Sequence, residues 1–160
     1  MASRKLIIGI LIMSAVVVLD TLAQAWVFST LEENEKFIEL LPFLNLVQVW
    51  NHGVSFGMFN KLAYGQWILS AFALIISLFL ARLLQLAANT IEIVAYSLII
   101  GGALGNVIDR VFYGAVADYI DFHFFNYHWP SFNLTDSAIF VGVMLLLILN
   151  MKNTKSTSSI

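Results

Sequence analysis

Long apolar runs, rather than alternation, dominate the pattern of hydrophobic and polar positions along this chain. Four of them, over residues 6–28, 62–81, 91–108 and 134–150, approach the roughly 20 apolar residues that a helix needs to cross about 30 Å of hydrocarbon. The first is interrupted by Asp20, Thr21 and Gln24, and the second contains no charge. Asn89, followed three residues later by Glu92, forms a capping box that predicts the start of the third helix, and Asn133 introduces the fourth in a similar way. The N-terminus also fits a cleavable secretory signal: Arg4-Lys5, an apolar run over 6–19, and Ala23-Gln24-Ala25 as a small-residue cleavage site. Apolar residues resume at Trp26, Val27 and Phe28, and losing the segment would leave an odd number of spans, so a retained first span is expected. The polar tail over 152–160 reads as a frayed end.

Composition places these runs in a membrane. Hydrophobic residues make up 60% of the 160 and charged residues 11%, where a soluble domain carries about 25% charge. Mean hydropathy is +0.86. The length accommodates one compact unit, 1–160, of several spans. A net charge of -2 with no basic run excludes the electrostatic footprint of a nucleic-acid binder. The absence of cysteine excludes disulfides, thiolate metal sites and a cysteine nucleophile. Arg4, Lys5, Arg82, Lys152 and Lys155 fall on one side of the predicted topology, and Lys36, Lys61 and Arg110 on the other, beside the acidic Glu32, Glu33, Glu35 and Glu39. By the positive-inside rule both termini are expected in the cytoplasm, with outer connections at about 29–61 and 109–133.

Ionisable residues at bilayer depth are costly unless paired or hydrated, so chemistry is sought among them. Asp20, Asp109, Arg110, Asp118, Asp121 and Asp136 all approach the same outer face in the expected topology. Each taken singly is also explained as a solvated charge at a helix end, and Asp136 as a carboxylate capping the first turn of the fourth helix. Asp118 and Asp136, however, come from separate segments, with Asn133 three residues before Asp136. Two carboxylates held close together cannot both ionise cheaply, so one keeps a proton while the other serves as a base. Such a pair can activate a water for attack on a peptide carbonyl.

The blocks Asn51-His52-Gly53-Val54-Ser55-Phe56-Gly57, Gly101 to Arg110 (GGALGNVIDR), Val116-Ala117-Asp118-Tyr119-Ile120-Asp121-Phe122 and Phe132-Asn133-Leu134-Thr135-Asp136, in this order and spacing, resemble the signature blocks of the bacterial lipoprotein signal peptidases, signal peptidase II. The resemblance extends from about Asp20 to Asn150. It implies an all-α membrane protein of four transmembrane helices, with a small extracytoplasmic β-sheet and short helix in the first outer connection. The apolar alternation over 44–50 suits a strand of that sheet. The implied activity is that of an aspartic endopeptidase of the bacterial cytoplasmic membrane, with membrane lipid around it. Its substrate is a prolipoprotein, cut before a cysteine that already carries diacylglyceryl. Asp118 and Asp136 match the catalytic pair. Asn51, Asn106, Asp109, Arg110 and Asn133 match residues that shape or support the site, and Asp20 and Gly53 are grouped with them. Where the family has a lysine four residues after the first-helix aspartate, this chain has Gln24, which puts a first-helix ion pair in doubt.

The remaining features have their own readings. Gly101, Gly102 and Gly105 are expected to let helices approach closely, and Gly53 and Gly57 to give backbone freedom or close approach to substrate. Tyr119, Phe122, Phe124, Phe125, Tyr127, Trp129 and Phe132 read as an interfacial aromatic anchor. His123, His128 and Asp121 match no standard metal spacing, so no metal ligand and no cofactor is expected. Arg110 is expected to pair with Asp109 or to offset the field of the dyad. A small transport or scaffold protein using the same aspartates is the alternative, disfavoured by the lack of an internal repeat. Oligomeric state is not encoded legibly.

Overall fold

The computed structural model describes residues 2–31, 36–53 and 64–157, with side chains described over 4–31, 36–53 and 64–152. Its helices are α1 (Ala2–Thr30), α2 (Gly65–Leu86), α3 (Thr90–Tyr113) and α4 (Leu134–Thr157), and each contains a stretch long and apolar enough to cross a membrane. The shortest, α2, rises about 33 Å at 1.5 Å per residue, sufficient for the hydrocarbon layer. Leu78, Phe72 and Ile75 on this helix are 73%, 64% and 63% exposed, which in water would be a liability and in lipid is the normal outer surface.

The expected span ends are extended by polar residues that an apolar count cannot place. α2 continues past Ala81 through Arg82 and Gln85, which hydrogen-bond to each other (3.2 Å) on the exposed face. α3 continues through Asp109 and Arg110 to Tyr113, because its polar residues point inward, and it ends at Gly114 in the left-handed conformation (φ 75°), which favours glycine. Asn89 caps α3 as expected: its Oδ1 accepts from the Glu92 N–H at 2.9 Å, and the Glu92 carboxylate accepts from the Ala88 N–H at 2.6 Å. The Lys5 ammonium reaches across to the Ala87 carbonyl at 2.6 Å, satisfying an acceptor just beyond the end of α2.

α3 is the central helix, packing against α1, α2 and α4. Its small residues permit this. A Cβ on Gly101 would lie 2.9 Å from the Met13 Cα, and one on Gly102 would meet the Thr135 carbonyl and lie 2.7 Å from Ile139 Cγ1. A Cβ on Gly105 would meet the Thr135 methyl, and from the opposite side one on Gly142 would be 2.7 Å from the Ala95 carbonyl. The glycines therefore set the approach of α1 and α4 to α3, as expected of small residues in lipid.

A four-stranded antiparallel sheet, in the order β1-β2-β3-β4, covers one end of the bundle. Its strands are β1 (Phe37–Leu41), β2 (Leu44–Asn51), β3 (Val116–Phe124) and β4 (Tyr127–His128). The alternating segment of the first connection is β2, and it pairs with a strand from the other connection: Leu46 lies opposite Ile120, Val49 opposite Asp118 and Asn51 opposite Val116. The α1–α2 and α3–α4 connections thus both build the sheet, whereas the sequence assigned it to the first alone. Residues 32–35 and 54–63, including Gly57, Lys61 and the expected start of the second span at 62, lie outside the described residues. No helix occurs among the described residues of the first connection. Val27 of α1, Leu46 of β2 and Tyr119 of β3 form a buried cluster that ties the sheet to the bundle.

Candidate active site

The site forms where β3 runs along the N-terminal end of α4. Three backbone N–H groups, capped by Asn133 and by Asp20 of α1, fix that junction. Asn133 is the residue before α4, and its Oδ1 accepts from the Asp136 N–H at 2.8 Å. The two N–H groups before that, of Leu134 and Thr135, donate to Asp20 Oδ1 at 3.1 and 3.3 Å. Each exposed donor of the first turn therefore has an acceptor, and it comes from Asn133 and from a different helix, α1. Asp136 does not cap its own helix; its carboxylate remains for other partners.

Asp118 is 2% exposed in the middle of β3. Its two oxygens accept separately, Oδ2 from Asn51 Nδ2 at 3.0 Å and Oδ1 from Asn133 Nδ2 at 3.3 Å. Asp136 Oδ1 accepts from Asn106 Nδ2 at 2.8 Å. Asn106 and Asn133 are linked in turn: Asn133 Nδ2 lies 3.4 Å from Asn106 Oδ1, and the Thr135 hydroxyl lies 2.8 Å from Asn106 Oδ1 and 2.7 Å from Asn133 Oδ1. Amide side chains from β2, α3 and the start of α4 thus join the two carboxylates in one buried network. Burial raises the Asp118 carboxyl, and the charge of Asp136 raises it further, against the opposing effects of the Asn51 hydrogen bond and Arg110. The result is a carboxyl pushed up to about 7.

Arg110 stands within electrostatic range of Asp136, Asp118 and Asp109 but forms no ion pair within 4 Å with any of them. Its Nη2 donates to the Gly53 carbonyl at 3.0 Å and its Nη1 to the Asn106 carbonyl at 3.2 Å. The guanidinium therefore ties the turn after β2 to α3, and Gly53 N–H donates to Asn51 Oδ1 at 3.1 Å, turning the Asn51 amide toward Asp118. Arg110 Nε is buried without a partner among the described residues. Asp109 accepts from the Ala117 N–H at 3.0 Å, fixing the start of β3, and has only a long contact of 3.5 Å with Gln24. The expected Asp109–Arg110 pair is replaced by these two backbone anchors.

All nine residues singled out by sequence are brought to this end of the bundle, in two tiers. Asn51, Asn106, Asn133 and the two aspartates are in direct contact as a network; Asp20, Gly53, Asp109 and Arg110 brace the elements that carry it. Two participants were missed. Thr135 is fully buried between the asparagines, and Tyr119, read as an interfacial anchor, is instead buried and donates its hydroxyl to Asp20 Oδ1 at 2.9 Å. The hydroxyl in turn accepts from the Leu134 N–H at 3.2 Å, and burial pushes the phenol's pKa far up, keeping it a donor. Alternation along β3 was the available signal, since Tyr119 must face opposite to Asp118. The other aromatic residues at the hairpin tip do face outward: Phe124, Phe125 and Tyr127 are 72%, 81% and 84% exposed. His128 Nδ1 sits 2.9 Å from Asp121 Oδ2 and its ring stacks on His123 with centroids 5.2 Å apart. Among the described residues no three His, Asp or Glu side chains are arranged to hold a metal ion.

Comparison with known proteins gives a consistent picture. The family described as Signal peptidase (SPase) II matches residues 12–152. A protein of Thermodesulfovibrio yellowstonii named Lipoprotein signal peptidase is 50% identical over 115 residues, covering 72% of this chain and 76% of that one. One of the same name from Anaplasma phagocytophilum is 36% identical over 149 residues, covering 93% and 95%. A solved structure described as a bacterial membrane enzyme, 34% identical, superposes with a TM-score of 0.81 over 92% of this chain and 90% of its own.

Proposed function

The chain belongs to the signal peptidase II family, and from that premise we propose that Asp118 and Asp136 are the catalytic pair with which it cuts lipoprotein precursors. It is a multi-pass bacterial membrane protein and a peptidase of that family. The observation that carries the assignment is the network itself: two carboxylates from different elements, β3 and α4, oriented by three asparagine amides. An amide N–H donated to each carboxylate fixes which oxygen is engaged and leaves another lone pair for water.

In this reading a water lies between the carboxylates. The ionised member removes its proton as the water attacks the scissile carbonyl, while the protonated member donates a hydrogen bond to the developing oxyanion and keeps its proton. Collapse of the tetrahedral intermediate breaks the C–N bond, and the proton taken from water passes to the leaving amine. The pair thus ends the turnover with the single proton it began with. Arg110 limits the accumulated negative charge without quenching either carboxylate, because it is held off by its bonds to Gly53 and Asn106. A water or a substrate oxygen would satisfy its Nε. Holding helices together, the rival use of rim aspartates, describes Asp20 and not the pair.

The finer reading places one peptidase unit over 1–160, both termini in the cytoplasm and the sheet end at the extracytoplasmic face. The substrate is a prolipoprotein carrying a diacylglyceryl thioether on the cysteine that follows the cut. The test is cleavage of such a substrate by purified protein, compared with Asp118→Asn and Asp136→Asn at matched folding. Loss of about 10²-fold or more in kcat in each variant is expected of a removed acid or base. Cleavage persisting near the wild-type rate in either variant would overturn the pair.

A further inference from the structure

Asn106 and Asn133 hold the two carboxylates through their amide N–H groups, and an amide turned over would set an oxygen against a carboxylate instead. The two amides are not fixed equally well. Asn133 Oδ1 accepts from the Asp136 N–H at 2.8 Å, which settles its orientation. Among the described residues Asn106 Oδ1 has a long contact from Asn133 Nδ2, 3.4 Å, and one short donor, the Thr135 hydroxyl at 2.8 Å. Thr135 is the second residue of α4, where no helical carbonyl four residues back competes for its hydroxyl. It is fully buried, its methyl lies where a Cβ on Gly105 would fall, and its N–H donates to Asp20 Oδ1 at 3.3 Å. The hydroxyl so held lies between two amide oxygens, 2.8 Å from Asn106 Oδ1 and 2.7 Å from Asn133 Oδ1.

Resting on the pair proposed above, we propose that Thr135 is a positioning residue for the reaction: its hydroxyl keeps the Asn106 N–H turned toward Asp136, and its one proton follows whichever carboxylate is ionised. A hydroxyl donates to one oxygen at a time. Given to Asn106 Oδ1, the proton polarises that amide and strengthens the bond from Asn106 Nδ2 to Asp136; given to Asn133 Oδ1, it does the same for the bond from Asn133 Nδ2 to Asp118. The pair works with one member charged and the other protonated. The hydroxyl supports either arrangement by turning about its C–O bond, with no heavy atom displaced and no proton leaving Thr135. The other charged groups facing this junction are engaged elsewhere: Asp109 by the Ala117 N–H, Arg110 by the carbonyls of Gly53 and Asn106, and Asp20 by Tyr119 and the N–H groups of Leu134 and Thr135.

The experiment measures kcat and KM against pH for an S-diacylglyceryl prolipoprotein with purified wild type, Thr135→Val and Thr135→Ser. The first variant keeps the side chain's shape and removes the hydroxyl; the second keeps the hydroxyl and removes the methyl. Thr135→Val is expected to lower kcat about tenfold, the scale of one lost buried hydrogen bond, with KM within about twofold. Its pH–rate profile carries the second reading. The proton supports the singly ionised pair and can support only one member of the doubly ionised pair, so its loss is expected to move the acidic limb up by about 0.5 pH unit and leave the alkaline limb in place. Thr135→Ser is expected to stay within about threefold of wild type. Thr21→Val, which removes an exposed hydroxyl bonded to the Val17 carbonyl of α1, is the control and leaves both constants unchanged. A wild-type kcat and an unmoved acidic limb in Thr135→Val would overturn the proposal. Equal losses in Thr135→Ser and Thr135→Val would also overturn it, since the methyl against Gly105 would then be the working part. Failure of wild type to cut the lipidated substrate is a different result and strikes the underlying function. Should Thr135→Val fold poorly, Thr135→Ser against Thr135→Ala poses the same question, because both lack the methyl and differ in the hydroxyl: a kcat about tenfold higher for Thr135→Ser supports the proposal, and equal values overturn it.

Discussion

At Asp118, under the proposed mechanism, a single side chain links protonation, stability and turnover. Its carboxyl is pushed up to about 7, against about 3.9 in an unfolded chain. Between those values the folded protein keeps a proton that the unfolded chain releases, so stability contributed at this position falls as pH rises through the window and is fully lost above about 7. The Tm difference between Asp118→Asn and wild type is therefore expected to be greatest near pH 8 and to narrow toward pH 4. A constant or widening gap on acidification, followed by thermal unfolding in detergent, would contradict the burial of this charge. In the proposed mechanism the same ionisation removes the proton that the pair shares, so kcat is expected to decline on the alkaline side of about pH 7 in a pH–rate profile. Asp20 makes a second residue-scale case, since one oxygen accepts from Tyr119, Leu134 and Thr135. Asp20→Ala leaves those donors buried and unpaired and is expected to cost about 1–3 kcal/mol, read as a lower Tm. Asp20→Asn keeps an acceptor oxygen and should recover part of the loss.

Among the elements, α4 has to be both close to α3 and correctly rotated, because it carries Asp136 and its partner Asn106 is on α3. Gly102 and Gly105 meet the Thr135 turn with no room for a Cβ. Gly105→Ala is expected to lower stability by about 1–3 kcal/mol, as overpacking does, and to reduce kcat more than KM. Gly9→Ala, whose new methyl would face the movable Leu84 side chain at 3.1 Å, should change kcat little. Helices were the most legible elements, since their apolar runs need no partner to be recognised. β3 was harder. Its residues 116–124 were visible as a motif, but their pairing with β2 is a contact between segments about 70 residues apart, as in Leu46 opposite Ile120. Nothing local in either segment encodes that partner. Asp20 was legible as a buried charge, but its role as a cap for a helix 114 residues away was not.

Across the whole molecule, polar chemistry is concentrated at one end and the sides are hydrocarbon. The candidate pair was readable because Asp118 and Asp136 stand in distinctive motifs; their distance from each other was not, because it depends on the packing of α3 against α4. Orientation in the membrane is testable without background labelling, since the chain has no cysteine. Phe125→Cys, at the exposed hairpin tip, is expected to react with an impermeant maleimide in intact spheroplasts, and Gln85→Cys, near the opposite end of α2, only after permeabilisation. The reverse pattern would invert the topology.

The bond from Asp20 to the start of α4 joins an early-made segment of the chain to a span made 114 residues later. While the ribosome is still producing residues before 134, Asp20 has no helix to cap and Asp118 no second carboxylate. With the pair catalytic as proposed, proteolytic competence is withheld until α4 is inserted, and a chain interrupted before it is inert toward the membrane in which it is stranded.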